Sequence, residues 1–261
     1  MVEARDNYSG ERDESGRRHG QGSYRWSSVF SYSGEWRRGV MHGHGVLVVG
    51  DSTIEGEFLD GEVDGVGVRT WREGGVAVKQ YRGEFRRGEM WGRGEMATAT
   101  DRYVGDFVAN RFEGRGARTT AAKAVGDVAS AWRKDVPGDR VEGTWVANRL
   151  HGDGALRELG GHAYDGGYVR GKREGRGRGA WAGGATYDGY WKDEKRDGDG
   201  TYACAQSGLR YEGPWDRDAP AARAVAASPS FVVAAPAEGK DGKRATQSKG
   251  CLLYTSPSPR D

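Results

Sequence analysis

A short pattern of aromatic and small residues recurs along the chain. An aromatic or β-branched residue is followed by glycine two positions later and by a second aromatic residue four positions later, as in Tyr32, Gly34 and Trp36. Successive side chains of a β-strand point to opposite faces, so these three positions share one face of an extended strand. The pattern predicts a strand with one packed face, in which the glycine leaves room between two rings.

The pattern has nine copies, most of them 22 to 24 residues apart, and each copy predicts a β-hairpin; the first copy has Arg12 in place of the second aromatic residue. The copies begin at Tyr8, Tyr32, Ile54, Tyr81, Tyr103, Val141, Tyr164, Tyr187 and Tyr211. A glycine or asparagine about seven residues after the start, as at Gly39 and Asn110, suits a tight turn with positive φ. A single hairpin is only marginally stable, so we expect successive hairpins to bury one another's faces.

The hairpins together predict an all-β fold, an elongated and twisted antiparallel sheet of stacked β-hairpins. Its expected core consists of the aromatic and glycine positions of the clearest copies, which are Tyr32, Gly34, Trp36, Gly43, Gly45, Tyr81, Gly83, Phe85, Tyr164, Gly166, Tyr187, Gly189 and Trp191. Such a sheet offers long faces and few clefts. The expected architecture therefore favours binding of partners over catalysis.

Three stretches carry every element of the pattern in one register: YSGEWRRGVMHGHG, YRGEFRRGEMWGRG and YDGYWKDEKRDGDG. They resemble the MORN repeat, named for membrane occupation and recognition nexus, and the resemblance extends from residue 8 to about residue 215. It implies a solenoid of β-hairpins and a non-catalytic scaffold or tether. Members of the family occur alone, in ciliary and cytoskeletal assemblies, in junctional membrane proteins, and fused to lipid kinases or methyltransferases.

Composition changes divide the chain into segments. We expect a repeat array over residues 1–216, interrupted at 120–140 by a surface loop or a degenerate repeat. Residues 217–250 are rich in Ala, Pro and Ser and predict a disordered linker. Residues 251–261, CLLYTSPSPRD, match the translation of a sequencing-library adapter, so they are excluded from fold reasoning. The natural chain is expected to continue past Gly250.

Composition and charge narrow the function classes. The 45 glycines among 261 residues show no three-residue period, which excludes collagen, and the 9 tryptophans exceed what disordered chains carry. A net charge of +2 gives no overall field for nucleic acid, so no nucleic-acid partner is expected. The charged start of the chain predicts no signal peptide. We expect a cytoplasmic protein, peripheral to a membrane, the cytoskeleton or a cilium.

Three patterns that suggest chemistry are better explained by the repeat. His42 and His151 share a repeat position that is Asp64 or Trp91 in other copies, and neighbouring copies lie too far apart to share zinc ligands. The Gly-x-Gly pairs lack the Lys-Ser/Thr of a phosphate loop. The arginine-glycine tract at 173–181 places its glycines on the repeat register. We therefore expect no catalytic residue, no metal site and no cofactor.

Pairs of basic residues near the hairpin turns are the candidate contacts for a partner or a lipid: Arg37, Arg38, Arg86, Arg87, Lys172 and Arg173. Acidic neighbours such as Glu35 and Glu84 dilute their field. The leading hypothesis is a non-enzymatic scaffold that binds protein partners along the sheet. One alternative is a regulatory or targeting module of a larger lipid kinase or methyltransferase. Another is a module that binds anionic phospholipid, and a homodimer through edge strands is open as well.

Overall fold

The computed structural model describes residues 7–122, 128, 137–221 and 230–233, the last four by backbone only. These residues form nineteen strands. The strands are β1 Tyr8–Arg12, β2 Arg18–Ser27, β3 Phe30–Arg37, β4 Val40–Val49, β5 Ser52–Leu59, β6 Glu62–Glu73, β7 Val76–Arg86, β8 Glu89–Thr98, β9 Asp101–Val108, β10 Arg111–Ala121, β11 Gly138–Val146, β12 Arg149–Arg157, β13 Ala163–Val169, β14 Lys172–Ala180, β15 Ala185–Lys192, β16 Lys195–Cys204, β17 Leu209–Asp216, β18 Ala219–Pro220 and β19 Ser230–Val233.

The chain divides into two compact units, residues 1–138 and 139–261. In the first unit each strand from β1 to β10 pairs antiparallel with the next strand along the chain. In the second unit β11 to β18 pair in the same way, and β19 pairs antiparallel with β17. The predicted all-β fold of stacked antiparallel hairpins is confirmed.

Nine pairs of consecutive described strands are joined by two-residue turns in which both central residues have positive φ. Arg38 and Gly39, with φ of 51° and 90°, are one example. A turn with two positive φ angles matches the right-handed twist of the strands beside it. The sequence pattern predicted glycine or asparagine at the second turn position, but Glu194 and Asp218 adopt the same conformation, with φ of 73° and 74°.

A row of glycines crosses strands β1 to β10 of the first unit and β11 to β17 of the second, and this row is called the glycine ladder. In the first unit the ladder consists of Gly10, Gly22, Gly34, Gly45, Gly56, Gly67, Gly83, Gly94, Gly105 and Gly116. In the second unit it consists of Gly143, Gly154, Gly166, Gly177, Gly189, Gly200 and Gly213. Since glycine has no side chain, aromatic rings can pack directly against the backbone at these positions.

Tyrosine rings cover the ladder on one side of the sheet, which is called the core face. A Cβ added to Gly45 would lie 2.5 Å from Cε2 of Tyr32, and closer still to the hydroxyl end of that ring. Tyr32 is 1% exposed and meets Trp36 and Phe58 edge-on, with centroid distances of 5.1 Å to each. Each tyrosine thus joins its own hairpin to the next, and the aromatic pairs supply the core.

Seven of the hairpin turns are also bonded to the preceding hairpin. The amide of Gly39 donates to the carbonyl of Arg18 at 2.8 Å, and Gly171 donates to Leu150 at 2.8 Å. The same bond forms at Gly61, Gly88, Asn110, Glu194 and Asp218. These bonds fix the stagger between successive turns, so the turns of each unit form a regular edge, which is called the turn edge.

The segments expected outside the repeats are described only in part. Within 120–140, residues 123–127 and 129–136 lie outside the described residues, as does 251–261. Within the expected linker, residues 219–220 and 230–233 form β18 and β19, and both pair with β17. The run Ser-Phe-Val-Val at 230–233 has the aromatic and β-branched composition typical of strands, which explains why it pairs.

Candidate partner-binding site

The tyrosines of the core face are held by their own hairpins. The hydroxyl of Tyr32 donates to the carbonyl of Glu35 at 3.0 Å, and Tyr81, Tyr103, Tyr164 and Tyr187 each donate to the carbonyl three residues later. Burial removes solvent from the phenolate and raises the pKa of Tyr32 to about 12. Protonated and hydrogen-bonded at neutral pH, these hydroxyls are structural groups rather than general bases.

Three arginines on the core face cover tryptophans of the next hairpin. The guanidinium carbons of Arg18, Arg173 and Arg196 lie 4.7, 4.5 and 4.3 Å from the ring centroids of Trp36, Trp191 and Trp215. Where the next hairpin carries Phe or Tyr instead of Trp, the arginine position is Met41, Val63, Met90 or Leu150. This residue, nine positions after the repeat start and ten in the first repeat, is therefore matched to the aromatic residue of the next hairpin.

This arrangement places the predicted contact Arg173, half-buried, on the core face. Its Nε lies 2.8 Å from Oε2 of Glu194, its Nη2 donates to the Glu194 carbonyl at 3.1 Å, and Glu194 Oε1 accepts from the Arg173 amide. Lys172 lies beside it on the surface and pairs with Asp193 at 2.7 Å, which raises the pKa of this lysine. In the second unit the predicted basic pair is thus tied to the turn of the neighbouring hairpin.

The four predicted arginines of the first unit lie on the turn edge and are exposed. Arg37 and Arg38 belong to the turn after β3, and Arg86 and Arg87 to the turn after β7. The guanidinium of Arg86 lies 5.2 Å from the ring centroid of Trp91, and the Arg87 amide donates to Asp64 Oδ2 at 3.1 Å. The two arginine pairs do not form one continuous basic surface, because the turn that lies between them, after β5, carries the acidic residue Asp60.

The acidic residues near these arginines stabilise irregularities in the strands. Glu35 Oε1 accepts from the amide of His44 at 3.3 Å, and Glu84 Oε1 accepts from Arg93 at 3.0 Å. Both amides lie where the pairing register shifts after the turn. The sequence alone predicts only surface charges at these positions, but the carboxylates accept hydrogen bonds from backbone amides at the bulges.

A groove lies on the opposite side of the sheet, called the outer face, between the third and fourth hairpins. It has a volume of about 470 Å³ and is lined by Val66, Glu84, Arg86 and Trp91, together with Asp64, Gly65 and Phe85. Val66 is 67% exposed, the highest value among the large apolar side chains with described burial. An apolar centre with fixed charges on either side is the usual anatomy of a protein contact.

The second unit has a groove of its own on the outer face, with a volume of about 410 Å³. Tyr190, which is 51% exposed, lines it together with Arg176, Asp188, Asp199, Thr201 and Glu212, and Gly189, Gly200 and Gly213 complete the lining. Arg176 and Asp188 lie 3.7 Å apart. This groove is more acidic than that of the first unit, so the two units present different surfaces.

Sequence reasoning missed Val66 and Tyr190, although both depart from the repeat. The positions equivalent to Val66 carry charged or histidine side chains in the second and the fourth to eighth repeats, and those equivalent to Tyr190 carry Glu or Asp in the second to fifth repeats. A signal existed at Trp91, where a large ring replaces the His, Asp or Glu of other copies. Among the described residues, no cluster of three or more His, Cys, Asp or Glu side chains could hold a metal ion. In that same part of the chain, no helix is long and apolar enough to cross a membrane.

Tandem β-hairpins with one shared core pattern define the chain as a β-hairpin repeat protein. A family model for the MORN repeat matches residues 14–28, 32–52, 55–76, 81–99, 103–121, 142–155, 164–186 and 187–208. These segments cover more than half of the chain, so the chain belongs to the MORN repeat family. The resemblance noted in the sequence is confirmed. Repeats of this family generally form binding modules, for proteins or at membranes, rather than catalytic domains.

Proposed function

We propose that the chain is a non-enzymatic interaction scaffold that binds protein partners along the outer faces of its sheets. The observation that supports this function best is the groove around Val66, where an exposed apolar side chain lies beside Trp91 between Arg86 and Glu84. The charges are held in place, Glu84 by the bulge and Arg86 over the indole. A partner would insert an apolar side chain between them.

Site-specific photo-crosslinking tests the proposal. A photoreactive phenylalanine replaces Val66 in one variant and Val76 in the other; Val76 is similarly exposed, at 60%, but lies at the tip of the β6–β7 hairpin. We expect crosslinks to a discrete protein of the source cells from position 66 only. With that protein purified, Val66→Asp should weaken binding by about tenfold or more, whereas Val76→Asp should not. Equal crosslinking from both positions, or unchanged affinity of Val66→Asp, would refute the proposal.

Binding of anionic phospholipid is a second candidate, supported by the exposed guanidinium groups of Arg37 and Arg38 on the turn edge. Vesicles of phosphatidylcholine with and without phosphatidylserine provide the assay. If reversal of Arg37, Arg38, Arg86 and Arg87 to Glu abolishes retention on anionic vesicles while Val66→Asp does not, the lipid function is supported. Retention that is unaffected by the four reversals removes it.

In another arrangement, the chain is a targeting module of a larger lipid kinase or methyltransferase. The groove around Val66 would then bind a segment of the same polypeptide. Reading the native transcript past Gly250 distinguishes this arrangement from a separate scaffold. A homodimer through edge strands would appear as a doubled mass in light scattering. We place the protein in the cytoplasm, at the periphery of a membrane, the cytoskeleton or a cilium, wherever that partner resides.

A further inference from the structure

Two cations lie around one tryptophan on the core face of the first unit. The guanidinium carbon of Arg69 and the Nζ of Lys79 are each 4.7 Å from the ring centroid of Trp71. Trp71 and Lys79 are directly paired on β6 and β7, and Arg69 precedes Trp71 by two residues, so all three share a face. Since both charges lie near one ring, they can be no farther apart than twice that distance.

In the fifth repeat, the arginine at the position of Arg69 pairs with a carboxylate. Arg118 occupies the position that Arg69 has in the third repeat, and its Nη2 lies 2.7 Å from Asp101 Oδ1. The residue that corresponds to Asp101 in the third repeat is Ser52, whose hydroxyl accepts from Arg69 Nε at 3.1 Å. The geometry is retained, but the carboxylate is replaced by a hydroxyl group. The third repeat thus has the cation without its counter-charge.

No carboxylate of the described residues forms an ion pair with either Arg69 or Lys79 within 4.0 Å. Burial lowers the pKa of Lys79, and the nearby Arg69 charge lowers it further. Burial also lowers the pKa of Arg69. Both groups are therefore in an environment that an anion would stabilise.

We propose that Arg69, Lys79, Trp71 and Ser52 form a binding site for a phosphate group. The planar guanidinium suits two phosphate oxygens, and the ammonium adds a second positive charge. The Ser52 hydroxyl accepts from Arg69 and keeps its own proton to donate to the ligand. A phosphate monoester carries a charge of about −1.5 to −2 at neutral pH, which matches the two positive charges of the site. A carboxylate ligand would carry a single negative charge and match them less well. The site lies among the long strands away from the turn edge and is independent of the scaffold proposal.

Titration of the whole chain with inorganic phosphate, against chloride at equal ionic strength, tests the site. The probe is the indole N–H resonance of Trp71, assigned by its loss in Trp71→Phe. We expect a saturable shift in the wild type and at least tenfold weaker binding in Lys79→Met, because one charged hydrogen bond is lost. The matched control is Lys195→Met, which removes an exposed lysine of the second unit and should titrate as the wild type does.

A second variant distinguishes the loss of phosphate binding from unfolding of the protein. Ser52→Asp recreates the Arg118–Asp101 pair in the third repeat, so it should raise the thermal midpoint in chloride and abolish the response to phosphate. If wild type and Ser52→Asp respond alike to phosphate, or if the wild-type resonance shows no saturable shift and vesicles give no Lys79-dependent binding, the proposal is overturned.

Vesicles distinguish the two sources of the phosphate group. Phosphatidylcholine vesicles with and without phosphatidic acid present the same monoester on a membrane. Vesicle binding that is lost in Lys79→Met would identify a lipid headgroup as the ligand. A saturable response to soluble phosphate without vesicle binding would identify a soluble phosphate ester, and either result supports the site.

Discussion

Replacing Gly45 by alanine tests whether the tyrosine rings require the glycine ladder. The added Cβ would lie 2.5 Å from Cε2 of Tyr32 and closer to Cζ and Oη, so the ring must move. If the ring shifts within the core, overpacking costs about 1–3 kcal/mol. If the ring leaves the core, the loss of its burial costs about 3–5 kcal/mol. We expect a loss of about 3 kcal/mol in the free energy of unfolding, measured by urea denaturation.

The third repeat supplies a matched control for this substitution. Gly67 occupies the same repeat position, but Ile54 replaces the tyrosine. The nearest atoms to an added Cβ are Glu55 O at 2.8 Å, and Gly56 Cα and Phe85 Cε2 at 3.3 Å each, so no ring lies as close as that of Tyr32 does to Gly45. Gly67→Ala should cost about 1–2 kcal/mol, the lower part of the overpacking range. In a Tyr32→Ile background, Gly45→Ala should cost no more than Gly67→Ala does. Equal costs for Gly45→Ala and Gly67→Ala in the wild-type background would refute the reasoning.

Two further predictions concern the core face. Trp36→Phe loses the indole bond to Gly22 O at 3.0 Å and the Arg18 contact, and should cost about 1–2 kcal/mol. Adding Arg18→Met recreates the Met–Phe match of the second repeat and should recover part of that cost in a double-mutant cycle; strict additivity would contradict the match. The contribution of these tyrosines to stability should fall between about pH 10 and pH 12, because the folded state raises the pKa of Tyr32 and Tyr164 from 10.0 to about 12 while the unfolded state ionises first. Urea midpoints and tyrosinate absorbance against pH check this, and Tyr32→Phe should reduce the slope.

The hairpins, the turns and the core aromatics could be predicted because they repeat. Strand periodicity assigns Tyr32, Gly34 and Trp36 to one face whatever lies around them. The pairing of glycines across all strands follows once the register is fixed. Turn chemistry was less predictable, since the fold imposes positive φ on Glu194, a residue type that rarely adopts it.

The surface groups were less predictable, because their surroundings come from the neighbouring hairpin. Arg173 has the same sequence context as a surface cation, and only the adjacent turn shows that Glu194 and Trp191 engage it. Valine is common in strands, and only the structure shows that the Val66 side chain is exposed on the outer face. The cations around Trp71 become unusual only by comparison with Arg118 and Asp101, which needs the three-dimensional register.

The match between Arg and Trp across neighbouring hairpins determines how such a chain can be rebuilt. Within each unit, a hairpin whose first strand carries the core Trp follows a hairpin with arginine near the start of its returning strand, whereas one that carries Phe follows Met or Val. Whole hairpins are therefore not freely permutable modules. A chimaera joined at the two-residue turns, such as Arg38–Gly39, keeps each returning strand with the hairpin that follows it and so preserves every matched pair. One joined in the loops between hairpins separates those pairs.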